Sequence, residues 1–370
     1  MKEFFDKRLK SHFPWALLWV VLALSAIGLL NLYSATYNIS QKEVSPLFRS
    51  QLVWFGIGIT LSFVILWIDY RILLRLANPF YLFSVVLLVL VLFFGKEVAG
   101  NKNWLVLGPV TVQPSEFAKI AFILALARML ADHPSLQGYG MKDLIRPTLL
   151  LLPPLVLIVL GKDIGSSLFL VLTFASLVLF AGVRKRVVLV SLFLALIGVF
   201  GVYQKVLSPT QQSRIQTFFN PEADPKGRGY HLLQSKIAVG SGRFFGKGYL
   251  KGMHNKLLYL PEKHTDFIFP VWAEEWGFLG SIVVLGLYLT ILMTGLQLAS
   301  KAKEPFGIYL ALGVTVLFFW QVAINLGGVL GLMPLTGVTL PLLSYGGSSL
   351  VTILIGIGLL MNISMRRFMF

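Results

Sequence analysis

One hydrophilic stretch, Ser208 to Asp266, interrupts an otherwise strongly apolar chain and concentrates side chains that could bind an acidic ligand and react with it. It holds nine Lys or Arg residues against four carboxylates. The cations are Arg214, Lys226, Arg228, Lys236, Arg243, Lys247, Lys251, Lys256 and Lys263, and the carboxylates are Glu222, Asp224, Glu262 and Asp266. Because clustered positive charge attracts anions, this composition predicts an acidic ligand held at a membrane surface.

Asp266 is the last residue of that stretch and directly precedes a hydrophobic run. Its carboxylate, with His264 and Thr265 beside it, is therefore expected at a membrane surface, where a general base for a lipid-linked substrate would belong. The alternative is that Asp266 caps the following helix by accepting backbone N–H bonds. Glu274 and Glu275 fall inside the apolar run, where ionised groups are costly and usually face a cavity or a partner.

Three further charged residues are candidates because each lies in or beside an apolar segment. Glu116 and Lys119 are three residues apart and share one helix face. They form either a buried intrahelical ion pair or a site where Lys119 meets a phosphate and Glu116 holds it in place. Asp163 stands between two apolar segments, where a tight turn with a capped helix explains it as well as a functional role does.

Two amides lie in the ninth apolar segment, and an uncharged loop follows it. Gln321 and Asn325 lie four residues apart, which favours helix packing with interhelical amide hydrogen bonds. The segment 337–348 carries no charge and contains Pro341, Gly346 and Gly347. These residue types predict an ordered, close-packed turn.

Membrane helices must position these residues. Hydrophobic residues make up 56% and charged residues 13% of the 370-residue chain, whereas about 25% of a soluble domain is charged. A spanning helix needs about 20 apolar residues, and ten segments qualify: 14–33, 52–68, 78–94, 116–131, 147–161, 165–183, 187–206, 272–298, 306–330 and 348–365. The sequence predicts an all-α integral membrane protein with one domain over 1–370 and a long loop, 208–266, between helices 7 and 8.

The net charge of +16 is distributed as in a membrane protein, which argues against nucleic-acid binding. Sixteen Lys or Arg residues fall on one side of the predicted helices and five in the short loops of the other. This bias predicts cytoplasmic termini and an extracytoplasmic long loop. The first apolar run exceeds the core of a signal peptide, which predicts a retained anchor. The absence of cysteine removes thiolate chemistry, and the lack of P-loop and HExxH motifs argues against nucleotide-driven and zinc-dependent chemistry.

Four motifs resemble the SEDS family, named for shape, elongation, division and sporulation. They are GYHLLQSKIAVGSG at 229–242, LPEKHTDF at 260–267, QPSE at 113–116 and PLLSYGGS at 341–348. They occur in the family's order, and the resemblance covers nearly the whole chain. The sequences QSKIA at 234–238 and GKG at 246–248 favour the elongation branch.

The resemblance implies a glycosyltransferase that joins lipid II units into glycan strands at the outer face of the bacterial cytoplasmic membrane during elongation. It places Asp266 at the family's essential aspartate, as the expected base. Around Asp163 the chain departs from the family's usual Pro-Asp-Leu-Gly-Thr and reads KDIGS. The residues expected to bind substrate are Glu116, Lys119, Asp163, Arg214, Lys236, Arg243, Lys247, His264 and Ser344.

The resemblance also implies partners. A class B penicillin-binding protein, which is a transpeptidase, and other membrane proteins of the elongation machinery are expected, and nucleic acid is not. A divalent cation, Mg²⁺ or Mn²⁺, could help to neutralise the leaving diphosphate, although the sequence contains no dedicated metal site. A lipid II flippase and a scaffold for cell-wall enzymes are the alternative functions.

Overall fold

The computed structural model describes residues 12–37, 45–98, 101–108, 110–135, 137–205, 209–221, 228–252 and 263–366. Within these ranges the protein is predominantly helical. The helices are α1 (Trp15–Thr36), α2 (Pro46–Trp67), α3 (Tyr70–Phe94), α4 (Pro114–Asp132), α5 (Ile145–Leu160), α6 (Ile164–Phe180), α7 (Lys185–Lys205), α8 (Pro209–Phe219), α9 (Arg228–Ser241), α10 (Ile268–Lys301), α11 (Pro305–Leu330) and α12 (Gly347–Arg366).

Each apolar segment predicted from the sequence coincides with one of these helices. In the part of the chain that the structure describes, six helices are long and apolar enough to cross a membrane, namely α1, α2, α3, α10, α11 and α12. The helices α5 and α6 are apolar but shorter. An all-helical membrane protein is therefore the correct fold class.

The prediction of helices alone missed a small antiparallel sheet with strand order β1, β2, β3. Its strands are Lys96–Val98, Asn101–Leu107 and Val110–Val112. Such short strands carry too few residues for a clear apolar alternation. Because β3 ends directly before Gln113, the sheet leads the chain into the start of α4.

The last two helices form the centre of the bundle. In the most apolar 18-residue stretch of each helix, 67% of the residues of α11 and 89% of those of α12 are buried inside the protein, against 22% of those of α3. Helix α12 approaches α2 closely through Gly358, where a Cβ would lie 3.1 Å from the Cα of Ser62. The Ser62 hydroxyl donates a hydrogen bond to the Leu354 carbonyl at 2.6 Å. Small residues and interhelical hydrogen bonds of this kind drive helix association in lipid.

The long loop contains helices α8 and α9, and α9 packs against the end of α11. Ser235 and Ala238 are buried on one face, whereas Leu233 and Ile237 are exposed on another. The Ser235 hydroxyl donates to the Val329 carbonyl at 2.7 Å and so fixes α9 to the end of α11. The exposed apolar side suits contact with lipid at an interface.

Candidate active site

The uncharged segment between α11 and α12 forms the floor of the candidate site. Leu340, Leu342 and Leu343 are each buried, and the Tyr288 hydroxyl donates to the Pro341 carbonyl at 2.6 Å. This segment is the ordered, close-packed turn expected from its proline and glycines. Its buried leucines anchor the segment, and its backbone polar groups form hydrogen bonds with neighbouring residues.

The backbone around Asp266 is held by hydrogen bonds from three other parts of the chain. The donors lie in α1, in α11 and in the uncharged segment. The bonds run from Asn31 Nδ2 to Ile268 O, from Asn325 Nδ2 to Asp266 O, from Ser344 Oγ to Thr265 O and from Tyr345 N to His264 O, at 2.6–3.1 Å. Because several elements fix the same short segment, its position is set before any substrate arrives.

Asp266 itself is half-buried and does not occupy the capping position of α10. The helix begins at Ile268 with Phe267, the residue after Asp266, at the N-cap.

Arg214 lies beside Asp266, and Gly337 marks the place where they meet. A Cβ on Gly337 would lie 3.2 Å from one guanidinium nitrogen of Arg214 and 3.7 Å from Oδ2 of Asp266. Gly337 also has a φ of +74°, a conformation that favours glycine. The Asp266 carboxylate and the Arg214 guanidinium thus flank Gly337, and no side chain of the uncharged segment lies between them at this point.

Asp163 belongs to a polar cluster that also lies against the uncharged segment. Its Oδ1 accepts the Ser166 N–H at 3.0 Å and so caps α6. Its Oδ2 accepts hydrogen bonds from Gln113 Nε2 and Ser115 Oγ, both at 2.9 Å. A Cβ on the neighbouring Gly165 would lie 3.4 Å from the Thr336 carbonyl. The capping role is confirmed, and the cluster joins the starts of α4 and α6 to the floor of the site.

Glu116 and Lys119 form the buried intrahelical ion pair that was one of the two readings of the sequence. Their side chains are 2.8 Å apart and expose only 8% and 2% of their surface. The Lys119 ammonium also lies 5.0 Å from the centre of the Phe169 ring. The second Glu116 oxygen, Oε2, is buried without a hydrogen bond from the described residues. Glu116 directly follows Ser115 and Lys119 lies one helical turn beyond it, so the pair adjoins the cluster.

The remaining candidates fall into two groups. His264 and Ser344 adjoin Asp266, with the His264 ring 6.2 Å from that of Tyr345. Both hydrogen bonds of the buried Ser344 hydroxyl are made within the protein, to the Thr265 carbonyl and from the Leu340 N–H. Burial lowers the pKa of the neighbouring Lys263 below its ordinary value.

Lys236, Arg243 and Lys247 have other surroundings. Lys236 covers Gly331 at the end of α11. Arg243 and Lys247 contact the middle of α10. The Arg243 carbonyl accepts the Phe278 N–H, and the Lys247 ammonium pairs with Glu274. Of the four loop cations expected to bind substrate, Arg214 lies next to Asp266, whereas Lys236, Arg243 and Lys247 contact other parts of the bundle.

The comparisons with known proteins decide the family. The sequence matches the FtsW/RodA/SpoVE cell cycle protein family over residues 15–368. The chain belongs to this family. The SEDS resemblance inferred from the motifs is thereby confirmed.

Relatives of this FtsW/RodA/SpoVE protein match over nearly their full length. It is 36% identical to the peptidoglycan glycosyltransferase MrdB of Escherichia coli K12, covering 99% of this chain and 96% of that protein. It is 33% identical to the peptidoglycan glycosyltransferase RodA of Treponema pallidum, covering 96% and 98%.

Solved structures share the fold. A chain from a peptidoglycan synthase complex, described as coordinating polymerization and crosslinking, is 36% identical with a TM-score of 0.82 and covers 96% of this chain and 98% of its own. The rod shape determining protein RodA of Thermus thermophilus is 34% identical with a TM-score of 0.71 and the same coverage.

Sequence reasoning missed several residues that build the site in this FtsW/RodA/SpoVE chain. Asn325 was expected to bridge helices, but it donates to the carbonyls of Asp266 and Val338. Asn31 and Gln51 were not singled out, although Gln51 holds the Ser344 carbonyl at 3.1 Å. The available signal was a lone amide within an apolar segment, because such groups need a partner inside the membrane.

A divalent cation has no evident set of protein ligands in the described part of the chain. There, no three His, Asp or Glu side chains come together. The loop carboxylates Glu222, Asp224 and Glu262 lie outside the described residues.

Proposed function

We propose that this protein is a peptidoglycan glycosyltransferase that polymerises lipid II into glycan strands at the outer face of the bacterial cytoplasmic membrane during elongation. The observation that carries the proposal is the meeting of Asp266 and Arg214 over Gly337, at one end of a membrane-embedded bundle. One group can accept a proton and the other can receive negative charge. The names of the full-length relatives support the same reaction class.

The bond-forming step needs one base and one stabilised leaving group. The donor sugar of lipid II is α-linked to a diphosphate and the product is β-linked, so a single displacement with inversion suffices. The acceptor hydroxyl oxygen attacks the anomeric carbon of the donor sugar, and the hydroxyl proton passes to the Asp266 carboxylate. The bond between the anomeric carbon and the diphosphate oxygen breaks, and its electron pair stays on that oxygen. Undecaprenyl diphosphate leaves. General base catalysis of this kind contributes typically about 10² to 10⁴-fold in rate.

Arg214 is placed to stabilise the departing diphosphate. A guanidinium forms paired, charge-assisted hydrogen bonds with phosphate oxygens, and a fixed charge beside the reacting atoms needs no reorganisation during the reaction. The hydrogen bonds that hold the Asp266 backbone keep the base at a constant distance from that charge. Asp163 and the Glu116–Lys119 ion pair stabilise the part of the site that is formed by the starts of α4 and α6.

The first test of this function is direct polymerisation. The purified chain, in complex with its class B penicillin-binding protein and supplied with labelled lipid II, is expected to produce long glycan strands on a gel. The transpeptidase partner carries an inactivated crosslinking site, so that strand length reports only on this chain.

Two outcomes would contradict the polymerase. Translocation of labelled lipid II across vesicle membranes without any polymer would establish a flippase. If a complex that assembles normally shows neither polymerisation nor translocation, the protein is a scaffold.

A second prediction concerns the ten-helix topology that we propose, with cytoplasmic termini and an extracytoplasmic long loop. Because the natural chain has no cysteine, a single introduced cysteine reports its own location. Lys251→Cys in the long loop is expected to react with a membrane-impermeant maleimide in intact spheroplasts.

The matched control for topology is Lys142→Cys, in the connection between α4 and α5. Both lysines are exposed. Lys142→Cys should react only after permeabilisation, because basic short loops are cytoplasmic. Labelling of the two positions in the reverse order would invert the topology and exclude an outer active site.

A further inference from the structure

Helix α10 is two helices joined at Gly277. This residue has φ +66° and ψ −157°, a conformation that is essentially restricted to glycine. The break separates a half-helix, 268–276, from a longer helix that ends at Lys301. Asp266 lies two residues before the half-helix, so the half-helix is the arm that carries the proposed base.

The strap, residues 242–252 of the long loop, completes the hydrogen bonding at the break. The backbone N–H groups of Lys247 and Gly248 donate to the last carbonyls of the half-helix, those of Glu274 and Glu275, at 3.0 and 2.9 Å. In return, strap carbonyls accept the first N–H groups of the longer helix. These bonds run from Phe278 N to Arg243 O and from Leu279 N to Phe244 O, at 2.8 and 3.2 Å.

The strap approaches α10 so closely that glycines are required on both sides. A Cβ on Gly246 would lie 2.2 Å from the Glu275 carbonyl oxygen, and a Cβ on Gly277 would lie 2.3 Å from the Gly246 nitrogen. Real Cβ atoms do not approach backbone so closely. Backbone contact on this scale makes the strap and the half-helix move together.

One ion pair locks the side chains of this joint. Lys247 Nζ lies 2.6 Å from Glu274 Oε1, with the Lys247 side chain 29% exposed and that of Glu274 fully buried. The adjacent Glu275 carboxylate accepts a hydrogen bond from the Ser34 hydroxyl of α1. A buried carboxylate is costly unless it is paired, so Lys247 is needed where it stands.

We propose that the Lys247–Glu274 pair is a latch that positions the Asp266 arm, and that Lys247 is a positioning residue and not a ligand of the diphosphate. The inference rests on the proposed function and replaces the substrate-binding role expected for Lys247 from the sequence. Lys247 contributes to the reaction through the half-helix: its backbone and ammonium hold one end, and Asp266 lies at the other. A displacement of the strap is thereby transmitted to the base.

The test is a double-mutant cycle in the polymerisation assay. Lys247→Met removes the cation that pairs with the buried Glu274. It is expected to lower kcat about tenfold, with the KM for lipid II unchanged, because coupled residues of this kind interact strongly. Lys247→Met combined with Glu274→Gln removes both charges and should recover most of the lost kcat. Lys247→Arg retains the ion pair and should stay near the native rate. A diphosphate ligand would behave differently, because the double variant would be as slow as Lys247→Met alone, which would overturn the latch.

Hydrogen exchange of the native complex and the variants provides a readout that does not need activity. The amides of residues 247, 248, 278 and 279 should exchange faster in Lys247→Met and return towards native protection in the double variant. Lys301→Met, an exposed lysine at the far end of α10, is the charge-matched control and should leave these amides unchanged. Unchanged exchange in Lys247→Met would refute the latch. Failure of the native complex to polymerise lipid II would refute the proposed function alone.

Discussion

Asp266→Asn is expected to reduce glycan polymerisation by at least about 10² to 10⁴-fold, the range typical of a lost general base. The amide has nearly the shape of the carboxylate but cannot accept the proton of the acceptor hydroxyl. The fold should survive, because the hydrogen bonds from Asn325 and Ser344 reach backbone carbonyls and not the Asp266 side chain. Initial rates of lipid II incorporation by the complex measure the effect.

Asp132→Asn is the matched control for Asp266→Asn. Asp132 is a half-exposed carboxylate at the other end of α4 from Glu116, 3.6 Å from Arg128, and an exposed pair of this kind contributes little to stability. The control variant should polymerise at the native rate. A native rate in Asp266→Asn, with the complex intact, would remove Asp266 as the base and with it the proposed mechanism.

Lys119→Met is expected to cost the protein about 3–5 kcal/mol of stability, the usual consequence of breaking a buried ion pair by removing one partner. The methionine leaves the Glu116 carboxylate charged and without its cation. Glu116 already has one oxygen without a hydrogen bond from the described residues, so little remains to compensate it. Thermal unfolding of the purified protein, followed by loss of monodisperse material, measures the change.

The double variant Glu116→Gln with Lys119→Met separates stability from catalysis. Removing both charges should restore most of the stability, since an apolar or neutral replacement of a buried pair is often nearly neutral. Polymerisation by this variant then decides the role of Lys119. Near-native activity would assign the pair to structure, whereas a stable but inactive protein would support the contact with phosphate predicted from the sequence. Full stability of Lys119→Met alone would contradict the buried pair.

The uncharged segment between α11 and α12 positions reactive residues, a role that its composition alone does not indicate. It carries no charged side chain, yet Asp163, Arg214 and Asp266 are all found against it. Its buried leucines anchor it, and its backbone and the Ser344 hydroxyl orient the residues before α10. Chemistry and positioning are thus divided between a charged loop and a neutral one.

The sequence by itself determined the membrane class, the positions of the helices and the residues whose roles are local. Apolar length specifies a membrane helix wherever the segment packs. The pairing of Glu116 with Lys119 follows from the spacing of one helix, and the cap made by Asp163 follows from its place directly before α6. Asp266 was found because it stands where a hydrophilic loop meets an apolar run.

Only the tertiary structure decided which distant residues meet. Arg214 was one of nine loop cations, and no periodicity distinguishes it from Lys247. Packing of the long loop on the bundle places the first beside Asp266 and the second against Glu274. Asn325 reaches Asp266 across 59 residues of sequence. Such contacts depend on how whole helices pack, and membrane helices pack through shape and a few hydrogen bonds that hydropathy does not encode.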